Sequence, residues 1–598
     1  MARMMTPQRP PKPDLFVMVL ACLAFGLSGL VSRVVFERLP HLEDEIAYDF
    51  QADVFARGQV VAPLHTPSLA FWQPFVIEHE GTRFGKYPPA WPALLAVGVL
   101  MGAPWWVNAA CAALTVALTY RFGAEVFGRS AGRLAALLVT FSPMAILLNA
   151  TLMAHTSALM LVMLLLWAYQ RTVQGGGWRW GALAGLALGA LAANRPLTAL
   201  AVAVPFIVWS AWRFWRDGRA RRPLLMMAAC ALLVALSVPW FSWATVGDPT
   251  ANLYTRVPGW EYDRIGFGPE VGRNGHTLAK GIQFARYDLS MTAADLFGWQ
   301  AAGWSPMLTG WAVGIAPEGM TADSYWPVAG LSFLLLPLGI AVGVRGTAGY
   351  VWAGAGLLWV LSAAQFNYTQ PELWVLFGVG WWLGGFWLAV RRDLRATWAW
   401  ALVGVMLALV LAHMAYWVGS QRYSTRYYFE ALGAAAVLSA LPLAALADGG
   451  GQARRRLVLG GVVLACLISL MQYSVPRVSA LRGYNRVTGE VLAGIEARRA
   501  SADVPVFVLI TGTDGRWRTR GALMAASNPF LDGDIQFGYV EGDDPAARAR
   551  VLAHAVGRQV IEMGAARHDV WFIDTCADGV CDLANRIDSP TLLGELGG

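Results

Sequence analysis

Apolar runs long enough to cross a lipid bilayer follow one another through most of this chain, and arginines gather in the gaps between them. About 20 predominantly apolar residues make a helical crossing. Inside a bilayer the backbone must satisfy its own hydrogen bonds, which leaves only helices or closed barrels. Runs such as Leu15 to Phe36, Leu152 to Tyr169, Leu224 to Val246 and Tyr427 to Leu446 are too long for barrel strands, so an all-α polytopic membrane domain is expected. The 56% hydrophobic content and 28 tryptophans in 598 residues exclude an ordinary soluble enzyme. A net charge of +7 would suit nucleic acid, but the arginines lie in short gaps: Arg121, Arg129 and Arg133; Arg213 to Arg222; Arg391 to Arg395; Arg454 to Arg456. The positive-inside rule reads these gaps as cytoplasmic. No nucleic-acid motif accompanies them.

Met1 to Pro13 is basic, and the run from Leu15 carries no cleavage site, so it reads as a retained first helix. Ala90 to Met101 is short for a crossing and is read as re-entrant. The long run from Gly181 to Ala211 is broken at Asn194-Arg195-Pro196, which makes two short crossings. The count is then about 13 transmembrane helices, with an inside start and an outside end. The transmembrane domain covers residues 1–473, with outer loops 37–89 and 247–326, and residues 474–598 form a small extracytoplasmic α/β domain. In that domain Val504 to Ile510 and Val570 to Asp574 read as strands and Ala546 to Gly564 as an amphipathic helix. Cys576 and Cys581 bracket a polar turn and form a disulfide if the tail meets an oxidising compartment. The competing reading is a pair of metal ligands, with no second Cys or His pair nearby to complete a zinc site.

The first outer loop opens with Glu43, Asp44, Glu45, Asp49 and Asp53, a density of acid that packing explains poorly. As a helix it puts Glu45, Asp49 and Asp53 on one face. The plain alternative is a solvated helix start with an acidic first turn. At the loop's other end, in Phe84-Gly85-Lys86-Tyr87-Pro88-Pro89-Ala90-Trp91-Pro92, the paired prolines fix Lys86 and Tyr87 at the membrane surface. A lone lysine there is commonly a snorkelling anchor. His155, Arg195, His276, His413, Arg422 and Arg426 complete the polar residues of the outer edge, although one intramembrane histidine is as readily a bond between helices. Together the set offers acids for a base or a divalent cation and bases for a phosphate.

These motifs resemble the GT-C superfamily of polytopic glycosyltransferases, particularly the family-39-like members that include protein O-mannosyltransferases and aminoarabinose transferases. The resemblance is carried by Asp44-Glu45 with Tyr48-Asp49-Phe50-Gln51-Ala52, by Gly85-Lys86-Tyr87-Pro88-Pro89-Ala90-Trp91-Pro92, by Asn194-Arg195-Pro196, and by Arg426-Tyr427-Tyr428-Phe429-Glu430. It implies a GT-C fold and a polyprenyl monophosphate sugar donor used on the outer face. A glycan, lipid or protein hydroxyl would be the acceptor. It also implies that Asp44 is the general base, flanked by Glu43 and Glu45 as further catalytic candidates. Lys86 would contact the donor phosphate, with Arg195, Arg422 and Arg426 beside it. A divalent cation, Mg, Mn or Zn, would fall to Glu43, Asp44 and His155. Asp49, Asp53, Tyr87, His276 and His413 stand as further outer-edge candidates. A multi-pass location in a bacterial plasma (inner) membrane follows from the same resemblance. A transporter or flippase of a lipid-linked glycan, or a structural partner in an envelope-assembly complex, is the rival reading.

Overall fold

The computed structural model describes residues 14–299, 331–344, 346–366, 371–512, 520–542, 544–565, 571–577, 580–582 and 586–587. Among them, nine helices are long and apolar enough to cross a membrane. The chain opens with α1 (Leu15–Val34) and the acidic α2 (Glu43–Ala56), followed by α3 (Ala90–Leu100), α4 (Trp105–Phe127), α5 (Arg129–Phe141) and α6 (Pro143–Leu148). It continues with α7 (His155–Val173), α8 (Trp178–Asn194), α9 (Pro196–Arg216), α10 (Gly218–Ala235), α11 (Ser237–Val246) and α12 (Leu278–Asp295). Helices Leu331–Val344, Thr347–Phe366, Pro371–Arg392, Leu394–His413, Leu432–Asp448 and Gln452–Ser469 complete the bundle. Three of the expected thirteen crossings fall on helices shorter than a full span: α5 with 13 residues, α8 with 17 and helix Leu331–Val344 with 14. Helix α3 has 11 residues and rises only about 16 Å, well short of the hydrocarbon thickness, in line with the re-entrant reading.

Close helix approach in the bundle comes from small residues. A Cβ at Gly181, Gly185 or Gly189 of α8 would collide with the backbone of Pro223, Met227 or Ala231 on α10. Elsewhere tryptophans act as cross-ties: Trp359 and Trp374 each donate an indole N–H to the other's carbonyl, at 2.8 and 3.0 Å, and Trp382 donates to Trp400 O at 2.9 Å. In an apolar interior an indole N–H needs such a partner.

The arginine gaps meet at one end of the bundle. There Asp14 accepts from Arg129, Arg133 and Tyr120, Arg171 pairs with Glu125, Arg213 reaches Val173 O and Arg395 reaches Phe127 O. Helix α1 carries the chain from that end to α2 at the other. The C-terminal domain also docks at the α2 end, so the acidic loop and the tail share one side. The contacts are Arg57 Nη2 to Asp532 Oδ1 at 2.7 Å, Asn485 Nδ2 to His41 O at 2.8 Å and Gln73 Nε2 to Met524 O at 3.2 Å.

A three-stranded sheet bridges the first outer loop: β1 (Ala62–Pro63), β2 (Val76–His79) and β3 (Thr82–Gly85), in the order β1-β3-β2. A two-residue hairpin, β4 (Gln421–Arg422) and β5 (Ser424–Thr425), turns at Tyr423. The tail forms a sheet in the order β10-β9-β8-β6-β7, from β6 (Val506–Gly512), β7 (Ile535–Glu541), β8 (Gln559–Ala565), β9 (Trp571–Ala577) and β10 (Val580–Asp582). Strand β6 lies between two parallel neighbours, which explains its unbroken apolar run. The helix expected from Ala546 to Gly564 is instead helix Pro545–Leu552 followed by strand β8. Gly557, at φ 77°, turns the chain between them, and Val560, Ile561 and Met563 then pack as a strand. The backbone register sets Cys581 opposite Cys576 across β9 and β10. The disulfide expected there falls on side chains outside the described residues.

Candidate active site

Helix α2 begins where Glu45 reaches back over its own first turn. Its Oε2 accepts from the backbone N–H of His41 at 2.9 Å and Leu42 at 3.1 Å and from the Tyr423 hydroxyl at 2.6 Å, while Oε1 accepts from Leu152 N–H at 2.8 Å. Burial lifts the Glu45 carboxyl to about 7 against the pull of these four donors. With each oxygen engaged and 1% of the residue exposed, Glu45 is an anchor that ties α2 to the chain before α7 and to the β4–β5 hairpin. Tyr423 holds φ at 66°, a conformation costly for a bulky residue. The hairpin is held in turn by Arg477, which donates to Tyr423 O at 3.2 Å and to Asp295 at 2.7 Å; Asp295 also accepts from Ser424 Oγ at 2.6 Å.

One residue earlier, Asp44 has the opposite fate. It accepts from Tyr87 OH at 2.6 Å and from Arg426 Nη1 at 3.3 Å, and its side chain stays 17% exposed to a cavity of about 330 Å³. Burial pushes its pKa up, but Arg426, the Tyr87 hydroxyl and Lys86 together outweigh burial and hold it below the usual carboxylate value. Asp44 is therefore ionised and reachable.

Lys86 arrives through β3. A Cβ at Gly85 would stand 2.9 Å from Ala47 O, so glycine lets β3 lie directly on α2, and Gly85 N–H donates to Gln51 Oε1 at 2.9 Å. Lys86 then points inward, 3% exposed, with Nζ 3.2 Å from Asp263 and 3.5 Å above the Phe75 ring, beside Tyr87, Tyr254 and Trp260. Burial pulls its pKa down, and Asp263 and Asp44 restore part of it. Asp263 accepts further bonds from Tyr416 OH at 3.1 Å and Trp417 Nε1 at 3.2 Å.

The cavity brings together Asp44, Lys86, Tyr87, His155, Asn194, Arg195, His413 and Arg426 of the residues expected from sequence, and adds Tyr254, Asp263, Tyr416 and Tyr427. Arg195 leans on Glu430, with Nε 2.9 Å from Oε1. Glu43, Glu45, Asp49, Asp53, His276 and Arg422 do not line it. His276 instead donates its Nε2–H to Met414 O at 2.8 Å and stacks between Phe267 and Phe284. Asp49 and Asp53 lie one turn apart, and burial with mutual repulsion raises Asp49 well above the ordinary carboxylate value; burial lifts Asp53 to about 6, opposed by Arg57. Among the described residues no three His, Cys, Asp or Glu side chains are grouped to hold a metal ion. Asp263 was missed because a single acid in a glycine-rich loop carries no periodicity or motif; its pairing with Lys86 spans 177 residues.

Residues 90–243 match the family described as dolichyl-phosphate-mannose-protein mannosyltransferase. No curated protein matches the chain. The fold is similar to that of ArnT from Cupriavidus metallidurans, solved bound to undecaprenyl phosphate, with a TM-score of 0.45, 15% identity, and 92% of this chain and 93% of that one covered. It is also similar to the Archaeoglobus fulgidus oligosaccharyltransferase in its apo form, with a TM-score of 0.42, 14% identity, and 92% and 69% covered.

Proposed function

We propose that the chain is a glycosyltransferase that moves a sugar from a polyprenyl monophosphate to a hydroxyl on the α2 side of the membrane, with Asp44 as general base. The observation that carries this reading is an ionised, cavity-facing carboxylate set among three cations, Lys86, Arg195 and Arg426. A phosphate entering the cavity competes with Asp44 for Arg426 and with Asp263 for Lys86, and charge-assisted bonds to phosphate are strong. Drawing Arg426 away frees Asp44 and removes part of what depresses its basicity. The acceptor oxygen then attacks the anomeric carbon and its proton passes to Asp44. The bond from that carbon to the phosphate oxygen breaks, and the lipid phosphate leaves with the electron pair, its growing charge met by the cations.

Arg422, in strand β4 of the hairpin, and Glu43, which starts α2, stand outside the cavity lining. Transfer measured before and after chelation decides whether Mg, Mn or Zn takes part. The family match over residues 90–243 supports the reading. Purified protein in nanodiscs, given labelled polyprenyl phosphate sugars and a panel of glycan, lipid and protein acceptors, tests it. Formation of a glycosidic bond is expected. Movement of the donor between leaflets with no bond formed favours a flippase instead.

A further inference from the structure

Two unlike sets of polar side chains line the cavity. Asp44, Lys86, Asp263 and Arg426 make one, and there each carboxylate is already engaged: Asp44 by Tyr87 and Arg426, Asp263 by Lys86, Tyr416 and Trp417. The other set holds His155, Asn194 and Arg195, the last paired with the buried Glu430. His155 is 1% exposed, and among the described residues neither of its ring nitrogens has a hydrogen-bond partner. Asn194, 4% exposed, gives Nδ2 to Ser157 Oγ at 2.7 Å and leaves Oδ1 unmatched. Buried polar groups are nearly always satisfied, so such a pair lining one cavity calls for a partner that supplies both donors and acceptors.

We infer that His155 and Asn194 form the sugar-recognition wall of the site and select a neutral, hydroxyl-bearing sugar on the polyprenyl phosphate. This rests on the transferase reading and goes beyond it by naming the sugar class. A hydroxyl both donates and accepts, which suits one donor and one acceptor on the neutral imidazole and the acceptor of Asn194. Beside His155 and Asn194 a cationic amino sugar meets the Arg195 guanidinium, whose Glu430 partner is already engaged. An anionic uronic acid must take Arg195 from Glu430, which is 0% exposed and would be left as an unpaired buried charge.

Binding to the full-length protein in nanodiscs tests this with four probes: polyprenyl phosphate alone, and polyprenyl phosphate carrying a neutral hexose, a 4-amino pentose or a uronic acid. The wild type is expected to bind the hexose form more tightly than the bare lipid phosphate, and the amino and acid forms no more tightly. His155→Phe keeps a ring in place and removes both nitrogens; it should lower the hexose preference by about tenfold or more. Unchanged binding of bare polyprenyl phosphate shows that this variant folds. Asn194→Asp puts an anion on the wall and should shift the preference toward the amino sugar. A wild type with no hexose preference, a preference untouched by His155→Phe, or equal weakening of all four probes overturns the inference. Hexose binding that depends on His155 without transfer to any acceptor defeats the transferase reading and leaves the sugar wall standing.

Discussion

At each end of the helix bundle an aspartate meets arginine and tyrosine, and the two clusters differ in one respect. Asp14 accepts from Arg133 at 2.9 and 3.0 Å, from Arg129 at 3.0 Å and from Tyr120 at 3.0 Å, and its side chain is 1% exposed. Asp44 has one arginine at 3.3 Å, one tyrosine and an opening onto a cavity. The same residue types thus make a closed clamp in one place and an unfinished one in the other. Geometry, more than composition, separates an ion pair that holds helices together from one left open to a cavity.

Four substitutions break or sharpen that contrast. Asp44→Asn, which keeps the shape and removes the basic oxygen, should lower kcat for transfer by about 10³-fold while leaving donor binding and folding intact. Transfer at the wild-type rate would remove Asp44 as the base. Lys86→Met keeps the packing against Phe75 and leaves Asp263 its bonds to Tyr416 and Trp417; the donor KM should rise roughly 10–100-fold with kcat less affected, the pattern of a lost phosphate contact.

Asp14→Asn should act only on stability, costing about 2 kcal/mol, discounted because Arg129 and Arg133 are partly exposed, with transfer per folded molecule unchanged. Burial raises the Asp14 pKa, but Arg133, Arg129 and Tyr120 pull it down from 3.8 to about 2. A depressed acid contributes its stability above the unfolded value. That contribution is lost as the pH falls from about 4 through about 2, and acid unfolding of the variant should lack this dependence. Loss of transfer in the folded variant would make the two clusters alike after all. The smallest effect belongs to Tyr87→Phe, which removes one donor from Asp44. The carboxyl pKa should rise, moving the acid limb of the kcat/KM profile to higher pH by about one unit or less while the rate at neutral pH changes by only about threefold.

The helical membrane class, the break between α8 and α9 and the helix beginning at Glu43 were legible in the sequence because each follows from local pattern: apolar length, a proline after a polar pair, and an acidic first turn. The nearness of Lys86 to Asp44 was legible too, since Pro88 and Pro89 leave the chain few ways to run. What separates Asp44 from Glu45 was not. Both are acids in one turn, and their roles diverge only through Tyr423 and Leu152 on one side and Arg426 on the other, contacts that span 107 to 382 residues. His276 illustrates the same limit, its ring occupied by Met414 O and two phenylalanines that no spacing foretells. In the tail, the alternation that set β8 apart from the preceding helix was masked by the alanine-rich stretch before it.

The docking of the tail on α2 also makes the position of the acidic helix depend on a distant stretch of chain. Glu37 accepts from the backbone of Gly489 at 2.8 Å, His41 from Asn485, and Arg57 grips Asp532. These contacts join positions 444 to 475 residues apart in the chain. A chain cut before Asn485 keeps Asp44 and Lys86 but loses every one of these bonds, so the placing of the acidic helix is a property of the whole polypeptide and not of its first outer loop alone.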